Sequence, residues 1–230
     1  MTRPPVCEKC QQPMKPVVYG LPSPQDFENS NVIYAGCLID YPPREWDCDC
    51  FISYDFDANF EIVVADITTL DVDCIVNSAN PLLIAGGGVC GAIHKAAGPE
   101  LELECLRIAP NGIEAGTVIA TKGFNLHAKH VVHAVVPKFH ESGIEGMRLV
   151  ESAYREAILA ADAIGSRSVA IPSLGTGIYG WDVGAVAPFV IKSIKDTLPQ
   201  LENLEIVSLC CFTQEDADIY RAALIEHVRV

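Results

Sequence analysis

From residue 55 onward, short apolar runs alternate with longer segments in which apolar residues recur at threes and fours. The first pattern predicts strands and the second helices, because side chains alternate across a strand but return to one helix face about every 3.6 residues. "FEIVVADIT" predicts a strand ending at a turn. "VDCIVNSAN" is apolar almost throughout, as in a strand covered on both faces. "GTVIATKG", "KHVVHAVVP", the head of "SVAIPSLGTGIYG" and "LEIVSLCCF" predict further strands. Helical spacing runs through "VCGAIHKAAGPELELECLRI", where Pro99 marks either a break or the start of a second helix. "GMRLVESAYREAILAADAIG" is the clearest helix and is stopped by Gly165; "VGAVAPFVIKSIKDTL" and "TQEDADIYRAALIEHV" follow. Thr213 and Asp216 resemble a capping box for the last helix, with Asp in the usual Glu place.

Strands alternating with helices predict an α/β sheet with helices on both faces, whose ligands bind beyond the carboxyl ends of the strands. Both unusual loops, after "CIVN" and after "VAIP", leave such ends and therefore converge on one crevice. Residues 1–54 have a different texture, rich in Cys, Pro, Tyr and Trp and poor in periodic segments. Two units are expected: a small module over 1–54 and an α/β domain over 55–230.

Charge narrows the ligand. A formal net charge of −14 with no basic stripe disfavours nucleic-acid binding, which relies on clustered Lys and Arg. An anionic ligand must then be held by backbone amides and helix ends. Apolar stretches fall short of the ~18–20 residues of a membrane span, and "MTRPPVCEKC" has no apolar signal core, so a cytoplasmic protein is the default expectation.

The stretch "AGGGVCGAIHKAAG" supplies the amides. Consecutive glycines cost about 0.5–1 kcal/mol each relative to alanine, yet they are useful where a ligand touches main chain at a helix start. "PSLGTGIYGW" repeats the theme with Gly175, Gly177 and Gly180 around Thr176. A tight strand-to-helix turn is the plain alternative for each loop. Two in matched places point instead to a diphosphate gripped from both sides. Neither loop has the dinucleotide-fold or P-loop pattern.

"VADITTLDVDCIVNSANPLLIAGGGVCGAIHKAAGPEL", "HVVHAVVP" and "IPSLGTGIYGW", in that order, resemble the macrodomain family, closest to its MacroD-type branch. The resemblance implies a three-layer α/β/α domain with a mixed central sheet and a pocket for ADP-ribose or an ADP-ribosylated protein. It places Asp66 on the adenine amino group with the Ile67 amide beside it, and Asn80 on the distal ribose. Gly86, Gly87, Gly88, Val89 and Gly91 match the first phosphate loop. Ser173, Leu174, Gly175, Thr176, Gly177, Ile178 and Tyr179 match the second, and Phe212 flanks the adenine. Taken by residue type alone, Asp66 also suits a helix cap and Asn80 a turn before Pro81. His94 and His133 lie inside a helix and a strand and are assigned to structure. Tyr179, an ordinary phenol, closes over the ligand rather than donating a proton.

The family's usual "GGGVDG" aspartate is here Cys90. A mostly protonated thiol is a poorer general base than a carboxylate. Asn80 and Cys90 are the catalytic candidates. Two functions stay open: a hydrolase releasing mono-ADP-ribose from proteins or deacylating O-acyl-ADP-ribose, and an ADP-ribose reader without turnover. A monomer without an organic cofactor is expected.

Of ten cysteines, Cys7, Cys10, Cys37, Cys48 and Cys50 crowd the first 50 residues. "CEKC" and "WDCDC" resemble the knuckles of a zinc ribbon, with one residue rather than two between the second pair. The resemblance implies structural Zn2+ on Cys7, Cys10, Cys48 and Cys50, with Cys37 the alternative to Cys50. Five reduced cysteines without metal is the plain reading.

Overall fold

The computed structural model describes residues 59–228 and three short strands before them: β1 (Lys15–Val18), β2 (Ile33–Tyr34) and β3 (Trp46–Asp47). These three form one sheet in the order β2-β1-β3, with β1 parallel to β2 and antiparallel to β3. The chain divides into two units, Met1–Phe56 and Asp57–Val230. The five N-terminal cysteines named above lie outside the described residues.

In the second unit, strands β4 (Phe60–Val64), β5 (Cys74–Ala79), β6 (Val118–Lys122), β7 (His130–Val135), β8 (Ser168–Pro172) and β9 (Ile206–Cys211) form a mixed sheet. The order is β4-β9-β8-β5-β7-β6, all neighbours being parallel except the edge pair β6–β7. Every strand predicted from the second unit's sequence is present.

Helices α1 (Gly88–Ala97) and α2 (Pro99–Ile108) cover one face, with Ile93, Ala97 and Leu101 packed on Ile75, Val131 and Ala170. Pro99 starts a new helix. Gly98, at φ +88°, ends α1 and turns the chain so that proline takes the first position of α2, where its missing N–H costs nothing. The neighbouring strand residues Val76 and Val132 point the other way and are also fully buried. That second face is reached by α4 (Met147–Ala163), which touches β6, β7 and β8, and by α6 (Gln214–Val228), which touches β4 and β9. Helix α5 (Val183–Thr197) packs between them, and a single turn, α3 (Phe139–Ser142), precedes α4. On α4 the buried residues Val150, Ala153, Tyr154, Ala157, Ile158 and Ala161 trace one stripe, as the spacing of the sequence requires. At α6, Thr213 Oγ1 accepts from the Asp216 amide at 3.1 Å, so the capping pair forms on that side. No helix among the described residues is long and apolar enough to cross a membrane.

One buried carboxylate sets the entry to β9. Asp162, at the end of α4, accepts from the amides of Asn203 (2.7 Å), Leu204 (2.8 Å) and Glu202 (3.2 Å). Burial alone would raise its pKa, but the three amides outweigh burial and hold it below 3.8. A depressed folded pKa stabilises above the unfolded value and is lost as pH falls through the folded one. Asp162→Ala is therefore expected to lower stability by about 2–4 kcal/mol at pH 7, measured by denaturant unfolding. The gap to the parent protein should shrink below pH 3.8.

Candidate functional site

Strands β4, β9, β8 and β5 lie side by side and parallel, so their carboxyl ends meet at one edge of the sheet. The segments leaving those ends begin with Ala65-Asp66, Phe212, Ser173 and Asn80. Two cavities lie along that edge, one of about 610 Å3 and one of about 140 Å3. Both are lined by Gly88, Val89, Ser173 and Gly177, so they are the two ends of a single cleft. The large end adds Asp66, Ile67, Thr176, Phe212 and two residues that the sequence offered only as a helix cap, Thr213 and Asp216. The small end adds Asn80, Gly86, Gly87, Cys90, Gly175, Ile178, Tyr179 and the unforeseen Ser78. Among the described residues, no lysine, arginine or histidine lines either end.

Asp66 has a structural task and also reaches the cleft. It caps the turn Ile67–Thr69 through Oδ1, which accepts from the Thr68 amide at 3.0 Å and the Thr68 hydroxyl at 2.7 Å, and it also borders the large cavity. Asn80 likewise builds its own loop. Its Nδ2 donates to the Ile84 carbonyl at 2.6 Å and its Oδ1 accepts from the Ile84 amide at 3.4 Å. The next amide, Ala85, donates to Glu102 Oε2 at 2.8 Å. The first glycine turn is thus held at its entry from within and from α2. Beyond it, the amides of Gly87, Gly88 and Val89 stand at the start of α1 without intrahelical acceptors.

The second turn is braced from behind. The Leu174 amide donates to the Tyr154 hydroxyl at 2.8 Å, the Gly175 amide to Ser78 Oγ at 3.3 Å, and Ser173 Oγ shares a hydrogen with the Tyr220 hydroxyl at 2.5 Å. Gly175 is required there: its φ is +78°, and a Cβ would come within 2.8 Å of both Trp181 and Val136. No acceptor among the described residues engages the amides of Thr176, Gly177 and Ile178. Both turns therefore present unpaired donors to the cleft they share. Two residues expected at the ligand stand behind it instead. Leu174 is fully buried, and Gly91 packs on the carbonyl of Gly86.

Cys90 borders the small cavity but is almost wholly buried. Burial pushes its thiol pKa up, against hydrogen bonding from the Asn77 side chain and the backbone at Gly86 and Asn80. The thiol is therefore neutral at pH 7. Its surroundings are a polar patch inside the apolar core. Asn77 Nδ2 lies 3.7 Å from Cys90 Sγ and 3.1 Å from His133 Nδ1. A donor at Nδ1 leaves the proton on Nε2, which faces Thr121 Oγ1 at 2.9 Å. Burial, with His94 nearby, drives the His133 pKa down to about 3, so the ring is neutral across the physiological range. Asn77 sits in the period-2 register of "CIVNSA" facing α1; that register is the signal by which it could have been found. Tyr179 is half-buried, and burial raises its phenol further. Among the described residues no group of three or more His, Cys, Asp or Glu could hold a metal ion.

Residues 76–190 match the Macro domain family. "Macro domain-containing protein CT2219" of Chlorobaculum tepidum is 41% identical over 162 residues, 70% of this chain and 93% of that protein. An "O-acetyl-ADP-ribose deacetylase" of Enterobacter sp. is 38% identical over 168 residues, 72% of this chain and 93% of that protein. The Oceanobacillus iheyensis macrodomain solved with ADP superposes with a TM-score of 0.71 at 34% identity, covering 75% of this chain and 94% of that one. The chain belongs to the Macro domain family.

A Cβ on Gly91 would lie 2.2 Å from the Gly86 carbonyl oxygen, a backbone atom that cannot swing aside, whereas a Cβ on Gly87 meets nothing within 4 Å. Gly91→Ala is expected to cost about 1–3 kcal/mol and Gly87→Ala less than about 1 kcal/mol, by thermal or denaturant unfolding. Equal costs would contradict the packing described.

Proposed function

We propose that this chain binds ADP-ribose along the cleft and hydrolyses a linkage at its distal ribose. The reaction either releases mono-ADP-ribose from modified proteins or deacylates O-acyl-ADP-ribose. The observation that carries the reading is the pair of facing turns with unpaired amides and, among the described residues, no cationic side chain, an arrangement suited to a diphosphate. The Enterobacter relative's name and the Oceanobacillus complex support the same ligand class.

The adenine takes the large end, where Asp66 accepts from its amino group and the exposed ring of Phe212 forms a flat wall. The diphosphate lies between Gly87–Val89 and Thr176–Ile178. The distal ribose reaches Asn80 in the small end, with Tyr179 closing over it. Among the described residues no carboxylate lines that end, and Cys90 is a protonated thiol. The attacking water is then held by a phosphate oxygen of the substrate itself. In the deacylation, water adds to the acyl carbon, the ester C–O bond breaks, and the proton passes to the ribose oxygen. Loss of the loop carboxylate makes this catalysis slower than a carboxylate base would allow. The same observation favours a second reading, a reader that binds without turnover.

Cys90→Asp separates the two. A carboxylate at position 90 would meet the Asn77 amide and the backbone donors that now face the sulfur. We expect wild-type protein to release ADP-ribose slowly from an automodified acidic-residue substrate and O-acetyl-ADP-ribose. Asn80→Ala should abolish release, and Cys90→Asp should raise it by about tenfold or more. Calorimetric binding with no release by either the parent or the variant leaves only the reader.

The N-terminal unit completes the proposal. Zn2+ is held by Cys7, Cys10, Cys48 and one of Cys37 and Cys50, as a structural ion without catalytic part. Supporting this, β1 pairs antiparallel with β3, setting Lys15, which follows the first cysteine pair, opposite Asp47, which precedes the second. Metal analysis of purified protein should find about one zinc per chain, and its absence would refute the site.

A further inference from the structure

The large end of the cleft contains more negative charge than the adenine contact requires. Asp216, in the first turn of α6, lines it together with Asp66. The start of a helix this long attracts anions, because its first amides lack partners. Here that end is already occupied by the chain's own groups: the Thr213 hydroxyl accepts from the Asp216 amide at 3.1 Å, and Glu215 and Asp216 place two carboxylates in the first turn. Among the described residues, no cationic side chain lines the cavity to offset them. The nearest basic residue on α6, Arg221, is committed elsewhere, to Asp218 at 2.9 Å and to the Ile62 carbonyl at 3.2 Å.

These positions bear on one part of the ligand. With the adenine between Asp66 and Phe212, and the diphosphate between the glycine turns, the adenosine ribose must span the stretch between them. That stretch lies within the large cavity, whose lining includes Ser173 at the second turn and Thr213 and Asp216 just beyond Phe212. Size excludes little there, since the cavity is about 610 Å3. Charge does exclude. A phosphate on the adenosine ribose would bring up to two further negative charges toward a carboxylate pair with no counter-ion, in a cleft partly shielded from water.

We propose that Asp216 is a specificity-determining residue that restricts this site to ADP-ribose with an unphosphorylated adenosine ribose and rejects the 2′-phosphorylated nucleotide. The proposal rests on ADP-ribose occupying the cleft as described above. It adds a basis for choosing between two pools of substrate that share the adenine, diphosphate and distal ribose and differ only in one phosphate.

Calorimetric titration of the full-length protein with ADP-ribose, 2′-phospho-ADP-ribose and the uncharged 2′-O-methyl-ADP-ribose tests it. At low salt the 2′-phosphate should weaken binding by about tenfold or more relative to ADP-ribose. The methyl ether should bind within about threefold of ADP-ribose, and the discrimination against phosphate should shrink as salt is raised. Asp216→Asn should reduce the ratio between the first two ligands several-fold. Equal affinity for ADP-ribose and its 2′-phosphate overturns the proposal, as does a ratio that Asp216→Asn leaves unchanged. Equal weakening by the methyl and phosphate groups overturns it in favour of a steric limit. Absence of binding by ADP-ribose itself removes the underlying reading along with it, and so is distinct from the other failures.

Discussion

A cleft in an acidic chain that, among the described residues, offers a pyrophosphate no positive side chain can hold one only with main-chain N–H groups left unpaired and held in place. That requirement organises the site. Unpaired amides are costly when buried, but here Gly87, Gly88, Gly177 and Ile178 are exposed, so water can serve them until a ligand arrives. Holding them in place is the harder task, because glycine is the most mobile residue. The structure answers with braces behind each turn. Asn80 and Glu102 pin the entry to the first, and Gly91 lets the helix close on the Gly86 carbonyl. Tyr154, Ser78 and Tyr220 pin the second from the sheet and from two helices.

The same economy leaves the distal end chemically quiet. Its lining has an amide, hydroxyls, a buried neutral thiol and a neutral phenol, and none of these is a strong base at pH 7. The polar patch beneath it, Asn77 with His133 and Thr121, is tightly hydrogen-bonded on the histidine and keeps that ring uncharged. A charged imidazolium there would face burial with no carboxylate bonded to it. Under the hydrolysis proposed above, the rate would therefore rest on orientation of water and substrate more than on proton transfer by a side chain.

Much of this could be read from the order of residues. Strand parity in "CIVNSA", the stripe on α4 and the glycine turns are local patterns, and local patterns survive translation into structure. The convergence of the two turns was also legible, since parallel strands bring their carboxyl ends to one edge. What could not be read depended on packing between distant segments. Nothing local distinguishes Leu174, which faces the core, from its neighbours that line the cleft. The reason for Gly91 is a carbonyl five residues earlier, visible only once the turn has closed. Asp216 looked like half of a helix cap, which it is, and its place in the cavity follows only from where β9 delivers α6. Pro99 admitted two outcomes until Gly98 was seen to adopt a positive φ.

The salt dependence of ADP-ribose affinity tests the central claim most directly. Ligands held by lysine or arginine bind more weakly as salt rises, because the attraction between opposite charges is screened. Amides on a protein of net charge −14 have no such attraction to lose. Between about 50 and 500 mM salt the dissociation constant, measured by titration calorimetry, should stay level or fall slightly as like-charge repulsion is screened. A dissociation constant that rises steeply over that range would mean that cationic side chains carry the phosphates, and would contradict the account.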